Sequence, residues 1–337
     1  MSFFYGMNET SATTNSSYTD PFAKTILPGH NFKNPYMTIT IAIVVLTMIS
    51  MPALSWIGHR APKIYEPREP GDKTRYGGKK HPSGGLGGIC FWYILYLIFE
   101  LIIRICVELR LTVPYAFIAL EIPSRFFLMV ADVILLWCLF ENSGIIRDRL
   151  GIKNDALTYL SKPFFFIGGT GIILVFFGER IAYIVMMVKQ GFRWGRPDPM
   201  YYAISRTVYT GAYLLLTLLL WVRFIRMWIV YRKRASSGTF TDRCQKIPFV
   251  FFAVIGPMIT IRGASAFCFV FFFRMMKKRQ NPNLELLRMA LLCLPLLVIL
   301  YGFIWIRKVD YSVKEKEAQR EYASQINLLH MGYKHGP

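Results

Sequence analysis

The sequence predicts an all-α, polytopic membrane protein built as a bundle of seven transmembrane helices. Three observations carry that expectation. The chain has 337 residues, of which 54% are hydrophobic, and its mean hydropathy is +0.35. Its apolar residues fall in repeated runs near twenty long, the length a helix needs to cross about 30 Å of hydrocarbon. Its basic residues gather in alternate loops, as cytoplasmic loops do.

Taken in order, residues 1–35 form a polar tail rich in Ser, Thr and Asn. Asn8-Glu9-Thr10 and Asn15-Ser16-Ser17 are acceptor sequons for N-glycosylation, which favours a lumenal or extracellular tail. The expected spans cover residues 36–57, 89–109, 124–140, 164–190, 204–231, 247–273 and 284–306, and residues 307–337 form a charged tail. The first span carries no charge and reads as a plain anchor. The loop after it is basic and rich in Pro and Gly, which argues against regular structure. In the second span Glu100, Arg104 and Glu108 recur every four residues and share one helical face. Asp132 lies within the third span, close to the face of Arg125. The fourth span contains Gly168-Gly169-Thr170-Gly171, where another helix has room to come close. Arg223 and Arg226 near the inner end of the fifth read as snorkelling side chains. Pro295 marks a kink in the seventh.

The formal charge of +20 is the signature of many nucleic-acid binders. Here the loops of one side and the C-terminal tail hold about 22 Lys and Arg, against about ten on the other side, so the excess reads as an orientation signal. It places the N-terminus outside or lumenal and the C-terminus in the cytoplasm. Met275–Asn283, a basic loop on the outer side, runs against that pattern.

Five of the six cysteines lie in apolar spans and none forms a CxxC pair, so neither a metal site nor a disulfide framework is expected. All five histidines lie outside the spans. The sequence contains no HExxH, GxSxG or Walker A motif, and no lysine within the seventh span for a retinal Schiff base. No cofactor is called for.

What stands out is charge at membrane depth, which costs about 2.5–3.5 kcal/mol per residue and by default marks function. Glu179 and Arg180 interrupt the fourth span roughly 22 Å from its cytoplasmic start. Arg262 lies at a similar depth in the sixth, and Asp132 roughly 12 Å from the outer end of the third. Glu108 and Arg104 fall in the same slab. The expectation is that Glu179, Asp132 and Glu108 supply acid chemistry. Arg180, Arg262, Arg104, Tyr209 and Tyr213 would line a pocket for a lipophilic small molecule. A carboxylic acid kept protonated by apolar surroundings can act as a general acid, and aromatic faces can stabilise a developing cation. Together they suit acid-initiated cyclisation of a polyene or its epoxide. Interhelical ion pairing without chemistry is the competing explanation.

A seven-helix receptor or a lipid or small-molecule transporter are the alternative functions. The third span ends Leu139-Phe140-Glu141-Asn142 rather than in Asp-Arg-Tyr, and the seventh has no Asn-Pro-x-x-Tyr. Its seven spans, short loops, aromatic richness and intrahelical acids such as Asp132 and Glu179 resemble the fungal integral-membrane terpene cyclases of meroterpenoid gene clusters. The resemblance implies a terpenoid substrate and an endomembrane location such as the endoplasmic reticulum. It transfers no catalytic residue.

Overall fold

The computed structural model describes residues 24–26, 31–60, 83–114, 120–149, 156–190, 200–235, 246–271 and 283–306. Seven crossings are present among them. The first five are single helices: α1 (Pro35–Arg60), α2 (Ser83–Glu108), α3 (Glu121–Arg149), α4 (Ala156–Gln190) and α5 (Met200–Ala235). The sixth joins α6 (Lys246–Val250), one π-helical turn (Phe251–Ile255) and α7 (Gly256–Val270). The seventh is α8 (Asn283–Ile306).

Hydrocarbon offers the backbone no hydrogen-bond partner, so each crossing must satisfy its own amides, and a helix does so. Polar side chains inside the spans follow the same logic. The hydroxyls of Thr40, Thr47 and Ser50 each donate to the carbonyl four residues back at 2.7 Å. The helices outrun their expected spans. α4 and α5, with 35 and 36 residues, are about 50 Å long, well beyond the hydrocarbon thickness. α3 likewise continues past Phe140 to Arg149, and α4 begins at Ala156, ahead of Phe164.

The surface is inverted relative to a water-soluble protein. Ile49, Ile167 and Leu174 are more than 60% exposed, whereas Arg104 and Arg262 are almost wholly buried. Apolar faces turned outward and charges turned inward define a multi-pass membrane protein, since exposed apolar area of this extent needs a lipid neighbour. The core is drawn from all seven crossings and includes Val44, Tyr93, Leu135, Ile172, Phe224, Phe251 and Ile299.

Lipid tails are as apolar as leucine, so the helices associate through close packing and interhelical polar contacts. The Gly168–Gly171 run meets its expected use. A Cβ on Gly168 would stand 3.4 Å from Leu216 of α5, and one on Gly169 2.9 Å from Val133 of α3. In the sixth crossing, a Cβ on Gly263 would fall 2.7 Å from the Thr217 hydroxyl of α5.

One feature of the N-terminal region lies outside the sequence expectations. Lys24–Ile26 (β1) pairs antiparallel with Thr112–Pro114 (β2), which follows α2. Asn31 and Phe32 then turn into α1 with positive φ, 50° and 58°, a conformation unfavourable for a bulky residue. The turn is pinned by α2, whose Glu108 accepts hydrogen bonds at its carbonyl from the Asn31 N–H (3.0 Å) and at its carboxylate from the Phe32 N–H (3.1 Å). Asn8 and Asn15, the basic 275–282 stretch and residues 307–337 lie outside the described residues.

Candidate functional site

Three ion-pair clusters occupy the half of the bundle on the N-terminal side. The first joins α2 to α8. Arg104 binds Glu100 one turn away at 2.9 Å and also Glu285 across the interface. Arg288 closes the square to Glu285 at 2.6 Å and to Glu100 at 3.2 Å. Two acids and two arginines are therefore mutually neutralised.

The second cluster is centred on Asp132. A single oxygen, Oδ1, accepts hydrogen bonds from Arg262 Nε (3.0 Å) and Nη2 (2.7 Å) and from the Tyr93 hydroxyl. The guanidinium of Arg262 lies over the Tyr93 ring, 4.9 Å from its centre, and donates its remaining arm to the Leu292 carbonyl of α8. One buried arginine so ties the sixth crossing to α2, α3 and α8.

The third cluster joins α4 to α5. Glu179 is held by Arg206 at 3.1 Å and by its neighbour Arg180 at 3.3 Å. Arg180 also covers the Phe176 ring at 5.2 Å, and Phe176 meets Tyr209 edge-to-face at 6.0 Å. On α3, Arg125 stands 3.6 Å from Glu121. Taken together, Glu121 and Glu179 supply two carboxylates against the three guanidinium groups of Arg125, Arg180 and Arg206.

A cavity of about 130 Å³ opens between these clusters, with walls from α2, α3, α4, α5, the sixth crossing and α8. Arg125, Arg180, Arg206 and Arg288 face it, whereas Asp132 is the one acid in its wall. Its apolar walls include Phe176, Tyr209, Tyr213 and Phe269. Hydrogen bonding around it is incomplete. Nη2 of Arg125 is buried without a hydrogen-bond partner, and the Nε atoms of Arg125 and Arg180 stand 3.6 Å from Glu121 and 3.3 Å from Glu179 without hydrogen-bond geometry. Arg180 is only 4% exposed. A buried donor left unbonded costs about 1–3 kcal/mol, so the Arg125 guanidinium can take a further acceptor.

The sequence-predicted residues divide accordingly. Asp132, Arg180, Tyr209 and Tyr213 line the cavity, and Glu179 and Arg262 stand behind it as partners of lining residues. Arg104 belongs to the α2–α8 square and Glu108 anchors the turn before α1, so neither appears in the cavity wall. Sequence reasoning missed Arg206, Glu285 and Arg288 because they lie within the first turns of their spans, where basic and acidic residues read as interfacial. The unlike charges of Glu285 and Arg288, spaced for pairing on one helical face, were the available signal. Among the described residues no group of His, Cys, Asp or Glu is arranged to hold a metal ion.

Fold and site together define a seven-helix membrane protein with an arginine-rich cavity in one half of the bundle. Compared with protein-family models, curated proteins and solved structures, the chain matches none of them.

Proposed function

We propose that the chain is a seven-helix membrane receptor that binds a lipophilic small molecule through a terminal oxyanion, a carboxylate or a phosphate. The observation that carries this reading is the wall of the polar cavity: Arg125, Arg180 and Arg206 stand against only the two carboxylates of Glu121 and Glu179, and Nη2 of Arg125 is buried without a partner. Guanidinium groups bind carboxylate and phosphate strongly because their planar donor forks match those oxygens. Within a poorly hydrated cavity the attraction is far less screened than at a surface. Aromatic rings supply the remaining contact area. The excess of basic residues in alternate loops supports an N-terminus on the non-cytoplasmic side, with Asn8 and Asn15 as glycan acceptors, and thus a cavity in the outer half of the membrane.

Terpene cyclisation is a second reading of the same cavity. Its aromatic walls, Phe176, Tyr209, Tyr213 and Phe269, suit a carbocation, and it carries with it an endomembrane location. It asks Asp132 or Glu179 for a proton. Both instead accept from arginines, which favours the oxyanion reading.

One experiment separates the two. The purified chain in nanodiscs is offered alkyl carboxylates and alkyl phosphates in a displacement assay, and in parallel prenylated aromatic compounds and their epoxides with product analysis by mass spectrometry. Saturable binding that is lost in Arg180→Gln and Arg206→Gln upholds the oxyanion site. No binding, together with formation of an isomeric product, overturns it in favour of the cyclase. Flux of the bound anion across sealed vesicles would make the protein a transporter rather than a receptor.

A further inference from the structure

A second cavity, of about 200 Å³, lies between α3, α4 and α5, deeper along the bundle. Its character is opposite to that of the first. Trp137, Phe165, Phe166 and Leu216 dominate its wall, and Thr170 is the one polar side chain there. The two cavities share Val133. At their junction Val133 packs directly on Gly169, where a Cβ would come within 2.9 Å of the valine's Cγ1, so the Val133 side chain is the partition between the two cavities. Phe166 on the outer wall is 63% exposed, so the second cavity is open sideways toward hydrocarbon. From Arg180 in the polar cavity to Gly169 along α4 is about 16 Å at about 1.5 Å per residue, comparable to one leaflet's hydrocarbon depth.

Resting on the oxyanion reading above, we infer that the two cavities form one head-and-tail site. The oxyanion sits among Arg125, Arg180 and Arg206, and a single apolar chain passes the Val133 partition into the second cavity. The ligand class is therefore a single-chain amphiphile with a terminal carboxylate or phosphate, long enough to span both compartments. Its lateral opening lets the chain come from the bilayer. A tail already dissolved in lipid gains little from the hydrophobic effect on moving into protein, so selectivity for the chain comes from fit within the second cavity rather than from hydrophobicity.

The test uses the full chain in phosphatidylcholine nanodiscs and two photoreactive probes, a dodecyl phosphate and a dodecanoic acid, each with a diazirine on the last carbon. Labelled residues are read by peptide mass spectrometry. The expected result is labelling of Trp137, Phe166 or Leu216, blocked by excess unlabelled amphiphile and lost in Arg180→Gln. Ile134→Phe, at a position that lines the second cavity alone, fills that cavity and should weaken the dodecyl probe by roughly tenfold, as overpacking a fitted site does, while leaving hexyl phosphate binding unchanged. Retained hexyl phosphate binding also shows that this variant is folded. Arg180-dependent binding in which the terminal carbon labels only residues outside the second cavity overturns the tail assignment and leaves the oxyanion site standing. Absence of Arg180-dependent binding with either probe overturns the oxyanion site, and the tail assignment with it. Labelling by one probe alone decides between phosphate and carboxylate.

Discussion

Glu179 of α4 and Arg206 of α5 meet at 3.1 Å inside the bundle, both at most 6% exposed. The pair does two things at once. It clamps two helices, and it holds Arg206 in the wall of the polar cavity, with Arg180 brought alongside by the same carboxylate at 3.3 Å. In the proposed oxyanion site, an incoming anion would compete with Glu179 for these two guanidinium groups, and the carboxylate would set how strongly the cavity attracts it.

Opposite outcomes follow for the two partners. Arg206→Gln removes a charge-assisted donor worth about 1.5–3 kcal/mol and should weaken oxyanion binding by roughly ten- to a hundredfold. Glu179→Gln removes the competitor and should tighten it, while lowering thermal stability because two arginines lose their counter-charge. Displacement of a radiolabelled alkyl phosphate, alongside a thermal-shift measurement, reads both. A Glu179→Gln variant that retains its fold but no longer binds the anion would contradict this account of the carboxylate.

Asp132 and Arg262 depend on each other more completely, since Arg262 is 1% exposed and its guanidinium is committed to Asp132 and the Leu292 carbonyl. Asp132→Asn leaves a buried cation uncompensated and is expected to cost about 3–5 kcal/mol. Replacing both, as Asp132→Leu with Arg262→Met, should cost less than either single change, because no charge is left stranded. The double-mutant cycle, measured by thermal unfolding in one detergent, checks this. Additive losses would show that the two side chains act independently.

How far the sequence revealed this arrangement depends on where each residue falls within its span. Asp132, Glu179, Arg180 and Arg262 interrupt apolar runs well inside the hydrocarbon, so their cost alone singles them out. Their helices could be drawn for the same reason. What composition does not contain is rotation about the helix axis. Depth places Glu108 and Asp132 in one slab, yet Glu108 turns to the Phe32 amide and Asp132 to Arg262. Arg206 and Arg288 sit near span ends, where an arginine reaching the headgroups and one turned into a cavity look alike in sequence. Tyr93 and Tyr96 sit inside an apolar run and carry no visible mark; only packing reveals that one hydroxyl serves Asp132 and the other Met289. The β1–β2 pairing joins segments far apart in the chain, with three residues in each strand, too short for any periodic signal.

Orientation rests on the basic loops and is open to direct test. If the N-terminal tail is lumenal, Asn8 or Asn15 acquires a glycan when the chain is made in a eukaryotic cell. Endoglycosidase treatment should then increase gel mobility, and Asn8→Gln with Asn15→Gln should abolish that shift. A cysteine introduced between residues 61 and 82 should in turn resist membrane-impermeant thiol reagents added from outside. Labelling of that cysteine in intact cells would invert the topology and move the polar cavity to the cytoplasmic half.

A close helix contact predicts a steric effect independent of charge. Gly263 in the sixth crossing faces Thr217 of α5, whose hydroxyl donates to the Leu214 carbonyl of its own helix at 2.7 Å. A methyl group on Gly263 would come within 2.7 Å of that hydroxyl oxygen and 3.4 Å of the Leu214 Cα. The hydroxyl lies near the helix backbone and cannot swing clear, so Gly263→Ala must push the helices apart. Overpacking of this kind costs about 1–3 kcal/mol. Thr217→Ala removes the obstructing atoms, so the double variant Gly263→Ala with Thr217→Ala should recover most of the lost stability. Gly178 serves as the control. A Cβ there meets nothing within 4 Å, so Gly178→Ala should be neutral or stabilising by about 0.5–1 kcal/mol through helix propensity. Thermal unfolding of the four variants in one detergent decides the matter. Equal destabilisation by Gly178→Ala and Gly263→Ala would assign the effect to the helices' intrinsic tolerance of glycine rather than to the α5 contact.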